Sequence, residues 1–389
     1  MSLKIEIISS ISELDPKAWN ALTDGSPLTS HGFFSALEKT QCVGDGTGWQ
    51  PIPLIVTEDN QLKGAIPLYA KSHSYGEYVF DWAWANAFEQ NGVTYYPKLI
   101  SAIPFTPISG ARLLSHDPEV RTLMAAVLAD QLQRLNLSSV HVLFPDVDSA
   151  ESLEKLGWIK RDGVQFRWEN QGYKSFEDFL STLTHDKRKK IRQERKKITA
   201  LGVSVRCLTG KDITEADWDF FFKCYERTYH LHRSTPYLTR EFFTELACLM
   251  PQNILLWVAE KDGQPIAAAL SIYDKKSDGQ SELYGRYWGA LSYVPGLHFE
   301  LCYYQAQEFC IEHGVRYFEG GAQGEHKLAR GFRPRPTCSF HKIAHPDFAE
   351  AIEAAVKRES VSMQFYQSEL EERAPFKASS AKNIESGNE

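Results

Sequence analysis

The sequence predicts an α/β protein made of two copies of one unit, each a mixed central sheet flanked by helices. Three observations carry this expectation. LIVTEDNQLKGAIPLYAKS, from Leu54, matches LLWVAEKDGQPIAAALSIYDKK, from Leu255, and each reads as a β-hairpin. Each hairpin leads, in the same order, to an aromatic stretch, a loop, a long helix and a short buried strand. The 389 residues suffice for two such units, expected over 1–170 and 171–375, with a polar, disordered tail over 376–389.

Leu3 to Ile8 alternates as a strand, Asp15-Pro16 opens a helix, and Phe33 to Thr40 follows Ser30-His31 as a second. Pro53–Thr57 and Leu62–Tyr69 form the first hairpin. Tyr78–Phe88, rich in rings, reads as a strand. A proline-rich piece runs to Arg112, Pro118 starts a helix to Leu135, and Ser138–Phe144 is a buried strand. A helix over Ser149–Leu156 and a strand over Val164–Trp168 close the first half. The second half repeats this text with a basic helix from His185 and helices over Glu215–His230 and Thr239–Leu249. Its hairpin covers Ile254–Glu260 and Pro265–Tyr273, its aromatic strand Glu282–Ala290, its long helix His298–His313 and its buried strand Val315–Phe318. A last helix runs from Pro346 to about Glu371.

Apolar content of 43% and charged content of 24% are those of a globular chain, and a net charge of −7 argues against a general nucleic-acid coat. The 7 cysteines show no ligand-like spacing. Cys302 and Cys310, eight residues apart on one helix, would stand about 12 Å apart, too far to bridge. Reduced thiols, the lack of a signal-peptide core and the lack of a membrane-length apolar run make the expected location cytoplasmic.

The text changes character at Phe318. Glu319 ends the buried strand, Gly320, Gly321 and Gly324 free the backbone, and Gln323, Glu325, His326, Lys327 and Arg330 follow at once. A carboxylate, an imidazole, an amine and a guanidinium on one loop are expected at the rim of an active site. A solvated turn is the competing reading. His298, Glu300, Glu319, Glu325 and His326 are also legitimate metal ligands, but no HxxxH or HExxH spacing supports a metal and none is expected.

Strand, helix, hairpin, aromatic strand, loop, helix, strand is the order of the GNAT acyltransferase fold. Its duplication resembles the FemAB-like proteins, which transfer aminoacyl groups in cell-wall synthesis. The matching stretches are Ser30-His31 with Phe33 to Glu38, Phe80 to Ala85, Pro104 to Pro107 with Gly110 and Arg112, Tyr284 to Gly289, His298 to Gln305, and Glu319 to Arg330. The resemblance covers nearly the whole chain and implies a tandem pair of GNAT-like units, the second carrying the chemistry. It implies an N-acyltransferase that passes an acyl or aminoacyl group to an amine on a small molecule or peptide. Acyl-CoA and aminoacyl-tRNA are the implied donors.

Such a transfer needs a base, donors for the carbonyl oxygen and fixed geometry. Glu319, Glu325 and His326 compete as the base. Lys327, Arg330 and Arg286 are expected to hold a carboxylate or phosphate, with Trp288, His298 and Gln323 beside them. The pyrophosphate loop Q/R-x-x-G-x-G/A is absent: only Gly296 precedes the helix, and Glu300 in its first turn would repel a diphosphate and suit a cation. Asp81, Trp82 and Arg112 of the first half are expected at a shared substrate cleft. Arg188, Lys189, Arg192 and Lys196, in a run that puts positive charge nearly all round its helix, are expected to meet a polyanion such as tRNA. A non-catalytic anion- or RNA-binding module that keeps the fold is the remaining alternative.

Overall fold

The computed structural model describes residues 3–276, 279–321 and 324–377. β1 (Lys4–Ile7) leads to α1 (Pro16–Asn20), capped by the Asp15 carboxylate with Pro16 at the first helical position. α2 (His31–Lys39) starts where the Ser30 hydroxyl accepts from Phe33 N–H. Four strands follow: β2 (Trp49–Pro51), β3 (Leu54–Glu58), β4 (Gln61–Ile66) and β5 (Leu68–Lys71). α3 (Trp82–Gln90) replaces the aromatic strand expected over 78–88. Its buried residues Trp84, Ala85 and Phe88 recur at helical spacing, and that period outweighs the ring content. β6 (Lys98–Ser101), α4 (Pro118–Arg134), β7 (Ser139–Leu143), α5 (Val147–Lys155) and β8 (Ile159–Glu169) come next.

α6 (Phe176–Thr182), α7 (His185–Ala200) and β9 (Val203–Thr209) precede α8 (Glu215–Leu231), which a Thr214–Asp217 capping box starts. α9 (Arg240–Leu249), β10 (Ile254–Lys261), β11 (Gln264–Asp274) and β12 (Glu282–Ala290) follow. The expected helix over 298–313 is present but interrupted. α10 (Leu297–Phe299) gives way to a π-helical turn, Glu300–Tyr304, before α11 (Gln305–Glu312). β13 (Tyr317–Glu319), a 3₁₀ turn over Glu325–Arg330, β14 (Arg333–Ile343) and α12 (Pro346–Glu372) complete the order. β14 is absent from the sequence reading because Pro334 and Pro336 argue against a strand.

The described residues form two compact units that are not consecutive halves: 3–164 with 237–242 and 336–366, and 165–236 with 243–335 and 367–377. In the first, β1, β3 and β4 form a small sheet, while β2, β5, β6, β7 and β14 lie side by side, with β6 and β7 parallel. Leu68, Leu99, Met124, Leu128, Val140 and Phe340 sit in its core. In the second the order is β8, β13, β12, β11, β10, β9, with β12 and β13 parallel and the other pairs antiparallel. Each unit thus sets one parallel strand pair, joined through a helix, within an otherwise antiparallel run, and the fold is a tandem pair of GNAT-like units. Phe376, assigned to the disordered tail by the sequence, bridges to Leu183 and lies under the Arg333 guanidinium, 4.4 Å from the ring centre. The rest of the expected tail, 378–389, lies outside the described residues. No described helix is long and apolar enough to cross a membrane.

Candidate functional site

β12 and β13 stay paired only from Glu282–Tyr317 to Tyr284–Glu319. β12 keeps its antiparallel neighbour β11 as far as Ala290, but β13 has ended. Gly320 N–H donates to Phe166 O at 2.8 Å, and Phe166 N–H to Gly321 O at 3.2 Å, so the chain turns away along β8. A Cβ on Gly320 would come within 2.7 Å of the Phe332 ring, which explains the glycine. The strands therefore part. On the other wall Leu270 opposes Tyr287 and Ser271 opposes Gly285, which leaves Arg286 as the extra residue of a bulge.

A cavity of about 300 Å³ opens at this parting, with Arg286, Trp288, His298, Tyr303, His326 and Lys327 in its lining. The helix supplies His298, Cys302 and Tyr303 across the π turn. His298 packs on Trp288 and Tyr303 with ring centres 5.3 and 5.5 Å apart, and His326 Nε2 lies 3.0 Å from the Tyr303 hydroxyl. Burial, with His326, Arg330 and Lys327 nearby, pulls His298 down to about 4, so its ring is neutral near pH 7. Burial also lowers Lys327 to about 8. His326 is lowered by burial, then by Arg330 and Lys327, whereas burial raises Cys302 and Tyr303. The cavity is cationic: among the described side chains no Asp or Glu lines it.

Of the residues expected at the site, Arg286, Trp288, His298, His326 and Lys327 come together here. Gln323 lies outside the described residues, as does the side chain of Glu325. Glu319 is buried one step outside the cavity lining, its Oε1 2.5 Å from Arg335 and bonded to Arg167 as well. Arg330 is not at the cavity either. Its donors go to the Tyr304 hydroxyl at 2.9 Å, the His326 carbonyl at 2.9 Å and Glu194 at 2.9 Å. Glu300 does not face the helix start as an open carboxylate: Arg195, on α7, holds it at 2.9 Å and Glu308 at 2.7 Å.

In the first unit Arg112 is fully buried and donates to the carbonyls of Leu143 at 2.8 Å and Ile108 at 2.6 Å, so the expectation that it reaches substrate is wrong. Asp81 is buried too, 2.5 Å from Lys98 Nζ and 2.6 Å from the Tyr95 hydroxyl. Lys98 also holds Glu77 at 2.8 Å. Trp82 is half-exposed against Tyr75, ring centres 5.0 Å apart.

α7 does not carry positive charge nearly all round, as its sequence suggests. Ile191 and Ile198 are buried, and Glu194 and Arg195 turn inward to Arg330 and Glu300. The cations gather on the remaining face, where Arg188, Lys189, Arg192 and Lys196 line a groove of about 240 Å³. Arg192 bonds Glu177 there, while Lys189 and Lys196 form no ion pair among the described residues.

Cys302, Ser271 and the clamp of Arg167 and Arg335 on Glu319 escaped the sequence reading. Cys302 stands four residues after His298, a spacing that puts both on one helix face and was available as a signal.

A family model described as peptidoglycan biosynthesis/recognition, FemAB-like, matches residues 10–378. No curated protein matches the chain. Among solved structures FemX is similar, 11% identical with a TM-score of 0.54, covering 91% of this chain and 100% of that one. L-PGS from Bacillus licheniformis is 9% identical with a TM-score of 0.53, covering 89% of this chain and 96% of that one. The C-terminal domain (DUF2156) of a putative lysylphosphatidylglycerol synthetase from Agrobacterium fabrum is 10% identical, TM-score 0.52, covering 89% and 97%. These likenesses agree with the fold built above, and the family match spans both units: the chain belongs to the FemAB-like family.

Proposed function

We propose that the chain is an N-acyltransferase that joins an acyl or aminoacyl group to an amine in the cavity between β12 and β13. One observation carries the reading: a cavity at the parting of the parallel strands presents Arg286, Lys327, His298 and His326 with no described carboxylate. The acceptor enters as a free amine and attacks the acyl carbon. Its nitrogen then becomes strongly acidic, so a neutral imidazole suffices to take the proton. His298 is neutral at working pH, and His326, tied to Tyr303, is the second imidazole in reach. Protonated Lys327 faces the oxygen that gains charge, and Arg286 holds an anionic end of a substrate. The C–N bond forms as the C–S bond of a thioester or the C–O bond of an aminoacyl ester breaks.

Acyl-CoA stays open as donor. Arg195 pairs with Glu300 but is shared with Glu308, so the repulsion that the position of Glu300 implies for a diphosphate is reduced rather than removed. The cationic groove on α7 supports the second reading, an aminoacyl-tRNA donor. The test is to incubate the purified chain with labelled acetyl-CoA, or with aminoacyl-tRNA, and a short peptide bearing a free amine. Amide formation that is lost in Lys327→Ala is the expected result. Binding of either donor without amide formation would replace the enzyme by a binding module.

A further inference from the structure

Lys327 lines the proposed reaction cavity, yet it is itself a primary amine. Lys327 is only 5% exposed and lines the cavity, and Nζ lies 3.3 Å from the Gly321 carbonyl and 5.8 Å from the Phe166 ring centre. His298 and His326 share the cavity and accept protons. We infer that Lys327 Nζ is an acylation site: a small acyl phosphate or acyl thioester that enters the cavity forms an amide with it, which removes the cavity's cation and shuts off anion binding there. The inference rests on the reading that acyl donors enter this cavity.

The step balances without a further reactant. The Nζ lone pair attacks the acyl carbon, and the C–N bond forms as the C–O bond to phosphate or the C–S bond to thiol breaks. The leaving group departs with the electron pair, and the proton shed by nitrogen passes to it through an imidazole or water. Desolvation favours the free-base form that attacks, and Lys327 is lowered to about 8 by burial.

The molecule contains its own controls. Lys71 is lowered further, to about 7, mainly by burial, but it is sealed in the first unit against Trp49, with Nζ 3.9 Å from the ring centre. Lys98 is equally buried and is held by Glu77 and Asp81. Lys189 is exposed and lies outside the reaction cavity. Reactivity that follows a lowered affinity for protons alone would label Lys71, and reactivity that follows exposure alone would label Lys189. Only the cavity singles out Lys327.

The experiment treats the folded chain with isotopically labelled acetyl phosphate at pH 8 and maps occupied lysines by peptide mass spectrometry. Lys327 is expected to label about tenfold faster than Lys189, with Lys71 and Lys98 protected. Labelling no faster than at Lys189 overturns the inference. Acetyl-CoA forms a second arm. Labelling by acetyl phosphate but not by acetyl-CoA leaves the acylation site standing and removes the thioester from the proposed function. Since Lys327 helps to hold His298 down, acylation should also raise the His298 pKa, read by NMR titration. An unchanged His298 would overturn the loss of the cavity's cation.

Discussion

The two units build the same strand pair and finish it differently. In the second, β12 and β13 part and leave a cavity. In the first, β6 and β7 are parallel from Leu99–Val140 to Ser101–Val142, and the chain then returns to fill the place where a gap would open. Gly110 pairs with Pro145, its N–H donates to Phe144 O at 3.1 Å, and Asp146 N–H donates to Gly110 O at 2.9 Å. The Arg112 guanidinium takes the Leu143 carbonyl at the end of β7. Connection length decides the outcome. Residues 102–117 link β6 to α4 and can double back, whereas 291–296 link β12 to α10 and cannot. One topology therefore yields a closed strand end in one copy and an open, cationic strand end in the other.

The comparison breaks first at Arg112. Burial lowers its affinity for protons to about 10, against the pull of Asp146 and Asp24, so its charge is held by oriented carbonyls. Arg112→Met should destabilise by about 4 kcal/mol, because buried carbonyls lose charged donors. Urea unfolding is the measurement, and a loss under 1 kcal/mol would mean that the first unit's edge is not held by this side chain. At the open end of the second unit's strand pair the residue to change is Lys327, which lines the cavity. Lys327→Ala should melt within a few degrees of the parent and lose amide formation by roughly 10²–10³-fold, the scale of removing one donor to a developing oxyanion. Equal activity would move the reaction out of this cavity.

What the sequence shows follows the same division. Hairpins, helix starts and the buried strands are local, and turn residues and periodicity expose them. The 318–330 loop is legible because glycines and mixed charges crowd one strand end. Pairing partners are not legible. Arg195 meets Glu300 across 105 residues, Arg330 meets Glu194 across 136, and Arg167 meets Glu319 across 152. Without those partners three charges that hold the unit together read as groups awaiting a substrate. Arg112 misleads for the same reason, since backbone carbonyls leave no trace in a sequence. The Trp84–Phe88 helix misleads differently: aromatic composition suggests a strand, and only the spacing betrays the helix.

Glu319 sharpens the contrast between cavity wall and cavity. Its carboxylate is buried between two guanidiniums, and its Oε2 has no hydrogen-bond partner among the described residues. Glu319→Gln keeps the shape and weakens two charge-assisted bonds, with an expected cost of about 2 kcal/mol and activity within a few-fold. A loss of activity beyond roughly 10²-fold, with melting unchanged, would return the base to Glu319. The pH profile makes the complementary statement. On the proposed route transfer needs His298 neutral and Lys327 protonated, so kcat/KM, expressed per free-amine acceptor, should rise with pH through about 4 and fall through about 8. A profile flat across the upper limit would remove Lys327's charge from the step. The linkage to stability is separate: the unfolded chain holds the His298 proton to a higher pH than the folded one. This contribution to stability therefore falls as pH drops from about 6.5 to about 4.

The smallest effect on folding belongs to α7, whose two faces repeat the contrast on one helix. Glu194 and Arg195 are engaged with the unit, while Lys189 and Lys196 point into the outer groove. Changing Lys189 and Lys196 to Ala should shift stability by less than about 0.5 kcal/mol each, since exposed charges without partners contribute little. Their effect should emerge against a polyanion. Each phosphate neutralised by a cation releases counterions, so the logarithm of RNA affinity falls with the logarithm of salt by roughly 0.7 per contact on a single strand. Removing two contacts should flatten that slope by about 1.4. Removing Arg192 should flatten it less, because Glu177 already competes for that guanidinium. If the slope is unchanged while Arg195→Ala abolishes folding, the helix is a strut whose outer charge serves only to keep it wet. If the slope flattens and transfer from aminoacyl-tRNA falls with it, the groove and the cavity serve one donor.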